Sequence, residues 1–263
     1  MKKKIVSLLL TLCMLVTLGA LASCGEKSAA EIVNAALEKT NALDSYAADM
    51  ALDISMSVSG VTMDIPMNIE MKAAGIKSGA PVISAAMTME MLGISVAMDI
   101  YSDGEWMYID ALGEKYKMSM ADASGEYDYT EYMDSMLVAL PEDMLADKEL
   151  IKNEDGSQSI TIEIPSETFT ELYGDLVTQM NSTSTGAALE DISITDAVVT
   201  ITVADEYVKS YDISFGMTMN VSGTETTAEA KAVLTIKDPG TDVTVTAPEG
   251  LEDYAEIDAD ELA

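Results

Sequence analysis

Met50-Ala51-Leu52-Asp53-Ile54-Ser55-Met56-Ser57-Val58-Ser59-Gly60-Val61-Thr62-Met63-Asp64-Ile65-Pro66-Met67-Asn68-Ile69-Glu70-Met71 is the stretch that decides the fold. Apolar residues fill every second position on each side of Ser59-Gly60, and those between them are small or polar. Period-two alternation marks half-buried strands, and a two-residue link ending in glycine marks a hairpin turn. The pairing that follows sets Val58 against Val61, Met56 against Met63, Ile54 against Ile65, Leu52 against Met67 and Met50 against Ile69. A slip of one residue would turn every apolar side chain to the wrong face, so the register is well specified.

The same pattern continues outward. Ile83, Ala85, Met87, Met89 and Met91 lead to Leu92-Gly93, and Ile94, Val96, Met98 and Ile100 follow. Met91 then faces Ile94, Met89 faces Val96 and Met87 faces Met98. After Asp103-Gly104, Met107 and Ile109 extend that face, leaving Tyr101, Trp106 and Tyr108 on the other. Tyr116, Met118 and Met120 follow Gly113. Later strands are expected at Ile160–Ile164, Ile192–Ile194, Val199–Val203, Tyr211–Val221 and Ala228–Ile236, with a last one at Val243 and Val245.

Helical spacing interrupts the strands three times. Ser28-Ala29-Ala30-Glu31 is a capping box ahead of Ile32, Val33, Ala36 and Leu37. Tyr132, Met133, Met136, Leu137 and Leu140 predict a second helix, about 130–146, with Pro141 restarting a short turn around Met144 and Leu145. Ser166 is expected to cap a third, about 166–181, with Phe169, Leu172, Tyr173, Leu176 and Met180 on one stripe. The acidic tail 251–263 is expected to be solvated.

Burying apolar surface is worth about 25 cal/mol per Å². A sheet this long therefore cannot leave its apolar face in water. The fold expected is α+β and mostly antiparallel, a single domain over 28–250. Its sheet is strongly curved into a half-barrel, and the few helices cover the open side.

Composition excludes several function classes. The chain of 263 residues holds 46 acidic residues against 14 lysines, with neither arginine nor histidine, for a formal charge of −32. It has no basic face for nucleic acid and no imidazole for acid–base catalysis or metal ligation. The glycine loop that cradles phosphate, the G-x-S-x-G elbow and the metalloprotease motif are all missing, as is the D-x-[DN]-x-[DN]-G calcium loop. The expectation is no enzyme, no cofactor and no metal. Met87-x-Met89-x-Met91, Met118-x-Met120 and Met217-x-Met219 offer thioethers of the kind that suit Cu(I), but alternate strand positions share one apolar face and no histidine or cysteine supports them.

The N-terminus reads as an address. Lys2-Lys3-Lys4 precede an apolar run from Ile5 to Leu18, and Leu21-Ala22-Ser23-Cys24 follows. Residues 1–23 are expected to be a lipoprotein signal peptide, with Cys24 acylated (palmitate or a similar chain) and 24–27 a short tether. The protein would then be lipid-anchored to the cell membrane at its extracytoplasmic face, in the cell envelope. Removing three lysines with the signal would take the charge to −35.

With the lipobox, the capped first helix, the long meander, the two intervening helices and the closing strands ending near Pro248, the chain resembles the LolA/LolB and LppX/LprG superfamily of lipoprotein and lipid carriers. Within it, the chain is similar to lipoproteins of monoderm bacteria. The resemblance implies an eleven-strand-like half-barrel with a hydrophobic cavity for acyl chains. Carriers of the LolA type use an arginine to gate the lid, and this chain has none.

Methionine gives that cavity its character. Eighteen of the 20 methionines follow the expected signal, against two phenylalanines in the whole chain. Unbranched, polarizable side chains either fill gaps in a core or repack around irregular apolar ligands. The lining expected for a lipid or other hydrophobic ligand comes from Leu52, Ile54 and Met56, from Met63, Ile65 and Met67, and from Met87 and Met89 with Val96 and Met98. Met217 and Met219 extend it, and Met136, Leu140, Leu172 and Leu176 close it from the helices. The alternative is an envelope scaffold or protein-interaction lipoprotein with a self-filled core, its partner surface an exposed aromatic patch around Tyr101, Trp106 and Tyr108.

Overall fold

Alternation sets the first hairpin: β1 (Ser45–Val58) pairs antiparallel with β2 (Val61–Ala74), and all five expected pairings, from Val58–Val61 to Met50–Ile69, are present. The structure is a computed structural model, and it describes residues 27–58, 60–91, 93–120, 137, 140–172, 189–195, 197–221 and 224–257. The expected signal with Cys24, and the lining residues Met136 and Leu176, lie outside the described residues.

β3 (Val82–Met91) and β4 (Ile94–Ser102) form the second hairpin in the expected register, with Met91 on Ile94, Met89 on Val96 and Met87 on Met98. β5 (Trp106–Ala111) and β6 (Glu114–Ser119) complete the meander. The remaining strands are β7 (Ile151–Lys152), β8 (Gln158–Ile164), β9 (Leu189–Ile194), β10 (Ala197–Ala204), β11 (Tyr207–Val221), β12 (Thr224–Lys237) and β13 (Ala255–Glu256). They make one thirteen-stranded sheet in the order β13-β6-β5-β4-β3-β2-β1-β12-β11-β10-β8-β7, with β9 beside β11. The sheet is large, open and curved, and the fold is α+β with mostly antiparallel strands, as expected. β12 joins the first half to the second by pairing with both β1 and β11.

β11 is longer than either neighbour on its far side, so β10 serves its lower part and β9 its upper part. The join is tight. Gly216 N–H donates to Thr195 Oγ1 at 3.0 Å, and a β-carbon on Gly216 would lie 2.8 Å from that oxygen. Glycine at this position leaves room for the Thr195 side chain against the strand.

α1 (Ala29–Asn41) starts at the expected capping box: Glu31 N–H donates to Ser28 Oγ and Ser28 N–H donates to Glu31 Oε2. Its C-terminal end is tied to the turn between β10 and β11. Thr40 Oγ1 accepts from Val208 N–H at 2.9 Å while donating to the Ala36 carbonyl, and Lys39 pairs with Glu206 at 2.8 Å. Hydrogen bonding to Glu206 holds the Lys39 ammonium above its ordinary pKa and the Glu206 carboxyl below its own.

Four expectations need correction. Of the helix expected at about 130–146, residues 130–136, 138 and 139 lie outside the described residues; among those described, Leu137 lies in a bend, Leu140 and Pro141 are non-helical, and α2 (Glu142–Leu145) forms behind Pro141. The residue before a proline is pushed out of the α region, so the helix cannot continue across it. α3 (described over 166–172) begins one residue earlier than a Ser166 cap requires, since Phe169 N–H already donates to the Pro165 carbonyl. Val243 and Val245 pair with no strand; the Val243 N–H goes to Ser45 Oγ, and the chain runs extended over the polar face. Among the described residues, the tail is exposed at Glu252, Asp253, Ala255 and Glu256 but is anchored rather than free. Leu251–Asp253 forms a 3₁₀ turn, Tyr254 is buried, and β13 pairs in parallel with β6.

Candidate functional site

Residues directly opposite each other in a sheet point to the same face, so the ladders define apolar rows across it. One row runs Val96–Met89–Met67–Leu52–Ala232–Ile213–Val199–Ile162 over eight strands. The next runs Met98–Met87–Ile69–Met50–Leu234–Tyr211–Ile201–Ile160. Toward the β11–β12 turn, Met63–Met56–Ala228–Met217 and Ile65–Ile54–Ala230–Phe215 complete the face. Ten of the expected lining residues, from Leu52 to Met98, thus share one surface with Met217. Met219 holds the matching register position opposite Thr226.

Burial divides this surface. At one flank, α1, α2 and α3 press Val33, Leu37, Leu145 and Phe169 onto Ile160, Ile162, Ile164, Val199 and Ile201, all at most 2 % exposed. Phe169 also stacks at a tilt on Phe215, ring centroids 4.9 Å apart. At the other flank, Leu52, Ile54, Met56, Met63, Ile65, Met67, Met87, Met89, Val96 and Met98 are only half-buried. Leu140 and Leu172 do not join that open flank. Leu140 is buried in the packed core and Leu172 packs against it.

One concavity was not foreseen. About 1020 Å³ is bounded by the polar-face residues Asp53, Ser55, Asp64, Ser214, Gly216, Glu229 and Lys231, and the expected lining residues Ile54, Ile65 and Met217 also border it. Sequence alternation assigns Asp53 and Asp64 to a solvated surface, which is correct for each residue; only the bending of the sheet draws them around one hollow. Ser55 Oγ donates to Asp64 there at 2.7 Å. Beside that hollow, burial raises the pKa of Asp212, an effect offset in part by Lys231 and Ser210. A second concavity of about 390 Å³ is lined by Asp49, Glu70, Lys72, Asp99, Lys115, Lys237 and residues of the C-terminal segment. On the apolar side, a space of about 60 Å³ lies between Thr40, Tyr46, Ala48, Met71, Leu137 and Leu234. The methionine-rich part of the face is thus half-buried beside a packed core.

The aromatic patch is closed by the chain itself. Tyr254 meets Tyr108 edge to face, centroids 5.4 Å apart, and Tyr108 meets Tyr101 at 5.8 Å. Val245 and Leu251 pack around them. Burial pushes all three phenols above their ordinary pKa. Among the described residues, no three histidine, cysteine, aspartate or glutamate side chains come together to hold a metal, and no helix is long and apolar enough to cross a membrane.

Residues 28–255 match the model of a family described only as of unknown function, DUF6612. No curated protein matches the sequence. Among solved structures, LprF from Mycobacterium bovis is similar at 14% identity, over 84% of this chain and 97% of that one, with a TM-score of 0.46. A putative outer membrane lipoprotein-sorting protein domain from Vibrio parahaemolyticus is similar at 12% identity, over 81% and 94%, TM-score 0.27. The LolA superfamily protein NE2245 from Nitrosomonas europaea is similar at 9% identity, over 83% and 96%, TM-score 0.24.

Proposed function

The chain belongs to DUF6612, a family of unknown function, and we propose that this protein binds a lipid or another long hydrophobic ligand, without catalysis, as a carrier or sensor. The ligand would lie along the half-buried flank of the apolar face, over Leu52, Met67, Met87 and Met89, held by dispersion and exclusion of water. The observation that carries this reading is the continuity of the apolar rows. The same rows are sealed under helices at one flank and half-buried at the other, where methionine is concentrated. Leaving large apolar side chains part-wet costs burial energy on each of them. Thioether chains on such a surface can repack around ligands of irregular shape.

Anchoring through acylated Cys24 at the extracytoplasmic face belongs to the same proposal and rests on the lipobox sequence. A protein-interaction role through an exposed aromatic platform loses its surface, because Tyr254 and its neighbours cover Tyr101 and Tyr108.

Incubating the delipidated protein with total lipid extract, followed by native mass spectrometry, tests the binding. Adducts of lipid mass are expected, and recovery of the empty protein alone overturns the proposal. Independently, Cys24→Ser should move the protein from the membrane fraction to the soluble fraction.

A further inference from the structure

β12 differs in bulk from the strands on either side of it. Alternation turns Thr226, Ala228, Ala230, Ala232, Leu234 and Ile236 to the apolar face. In register with the alanines stand Met56, Ile54 and Leu52 on β1, and Met217, Phe215 and Ile213 on β11. Alanine is depleted in strands, where β-branched and aromatic side chains pack better. Three in succession make a floor between two taller walls. The floor runs roughly 20 Å from Thr226 to Ala232, and the strand spacing sets the walls about 10 Å apart. That is a lane for one extended hydrocarbon chain.

The lane has two different ends. At one, Leu234 and Ile236 restore bulk and are buried in the packed core with Val33 and Leu37. At the other, the floor deepens: Ala232 is half-buried, Ala230 and Ala228 are 6% and 2% exposed, and Thr226 is 2% exposed. Thr226 Oγ1 has no hydrogen-bond partner among the described residues. The other three buried polar side chains among them all bond within the chain. Thr40 accepts from Val208, Ser102 accepts from Gly104, and Ser157 donates to Asp155.

A hydroxyl buried without a partner is destabilising, and valine has the same shape without that cost. Thr226 therefore does nothing for the fold that valine would not do better. Its hydroxyl faces the same side as the alanine floor, where a group arriving with a ligand would complete it. Sites for apolar ligands use a few such polar groups to fix orientation.

We propose that the lane over β12 takes one linear hydrocarbon chain lengthwise, and that Thr226 hydrogen-bonds a neutral polar group at its end, an ester carbonyl or an alcohol. Burial this deep, in a chain of formal charge −32, selects against a carboxylate. The inference rests on the reading of the apolar face as a hydrophobic ligand site. It adds the direction of the chain and the residue that tells a polar-ended chain from a bare hydrocarbon.

The delipidated full chain is titrated with monopalmitoylglycerol, palmitate and hexadecane, and bound ligand is read by native mass spectrometry. Monopalmitoylglycerol should bind more tightly than either of the others at neutral pH. Thr226→Val should weaken monopalmitoylglycerol about tenfold and leave hexadecane within about twofold. It should also keep or raise the Tm of the ligand-free chain, since no bond within the protein is lost. Ala232→Leu, which raises the floor where it is half-buried, should weaken both neutral probes about tenfold or more. Unchanged monopalmitoylglycerol binding in Thr226→Val overturns the inference and leaves the broader reading standing. A clear fall in Tm for that variant also overturns it, because the hydroxyl would then have its partner within the protein. If the unaltered chain binds none of the three probes, the broader reading fails as well.

Discussion

The two flanks of the apolar face share an alternation, a register and a sheet, and differ in what covers them. Over β8, β10 and β11, the face is β-branched and aromatic, and three helices press on it until Ile162 and Val199 have almost no contact with solvent. Over β1 to β4, the face is methionine-rich and half-buried. Branched side chains with few rotamers suit a surface that is packed once and stays packed; unbranched thioethers suit one whose partner can vary. The difference separates a part that holds the fold together from a part available to a ligand.

Substitutions can break that contrast. The largest effect is expected from Ile162→Ala, at about 3–4 kcal/mol, because it opens a cavity where helices and sheet cannot collapse. Urea unfolding should show it; a loss below about 1 kcal/mol would mean that the closed flank is not the stabilising core. Thr40→Val should cost about 2 kcal/mol by leaving the buried Val208 N–H without its acceptor. Its signature is faster amide exchange across α1 with little change in β1–β4.

Met67→Ala sharpens the comparison from the other side. It should cost only about 1 kcal/mol of stability, since the side chain is half-buried. The lipid-bound fraction in native mass spectra should fall well beyond what unfolding explains. Equal losses of stability and binding from Met67→Ala and Ile162→Ala would erase the distinction between the flanks.

The smallest effect concerns Asp212 on the polar face. Burial raises its pKa, so the folded state holds the proton more tightly than the unfolded chain. Stability contributed by the protonated carboxyl is full below the ordinary carboxylate range and is lost as pH rises through the folded pKa. Asp212→Asn should therefore raise Tm at neutral pH by about 1–2 °C, and the gain should vanish in acid. A gain that persisted at low pH would point to a cause other than charge.

The meander was legible because each hairpin states its own register. The turns Ser59-Gly60 and Leu92-Gly93 and the alternation around them leave one pairing that keeps methionine opposite apolar partners. The site was less legible. Leu140 and Leu172 carry the same apolar signal as Met67, yet they belong to the packed flank, since periodicity says which side is apolar and not what lies over it. Tyr254 sits in an acidic stretch, and only Tyr101 and Tyr108 waiting on the polar face make it a core residue.

Local pattern by itself determined the hairpins of the meander and their register, the capped first helix and the single apolar face, because each depends on neighbours within one turn or one hairpin. Tertiary structure decided which flank the helices close, that the C-terminal segment seals the aromatic cluster, and that Asp53 and Asp64 border a hollow. Those outcomes depend on the curvature of the whole sheet and on contacts between residues more than a hundred positions apart, which no local periodicity encodes.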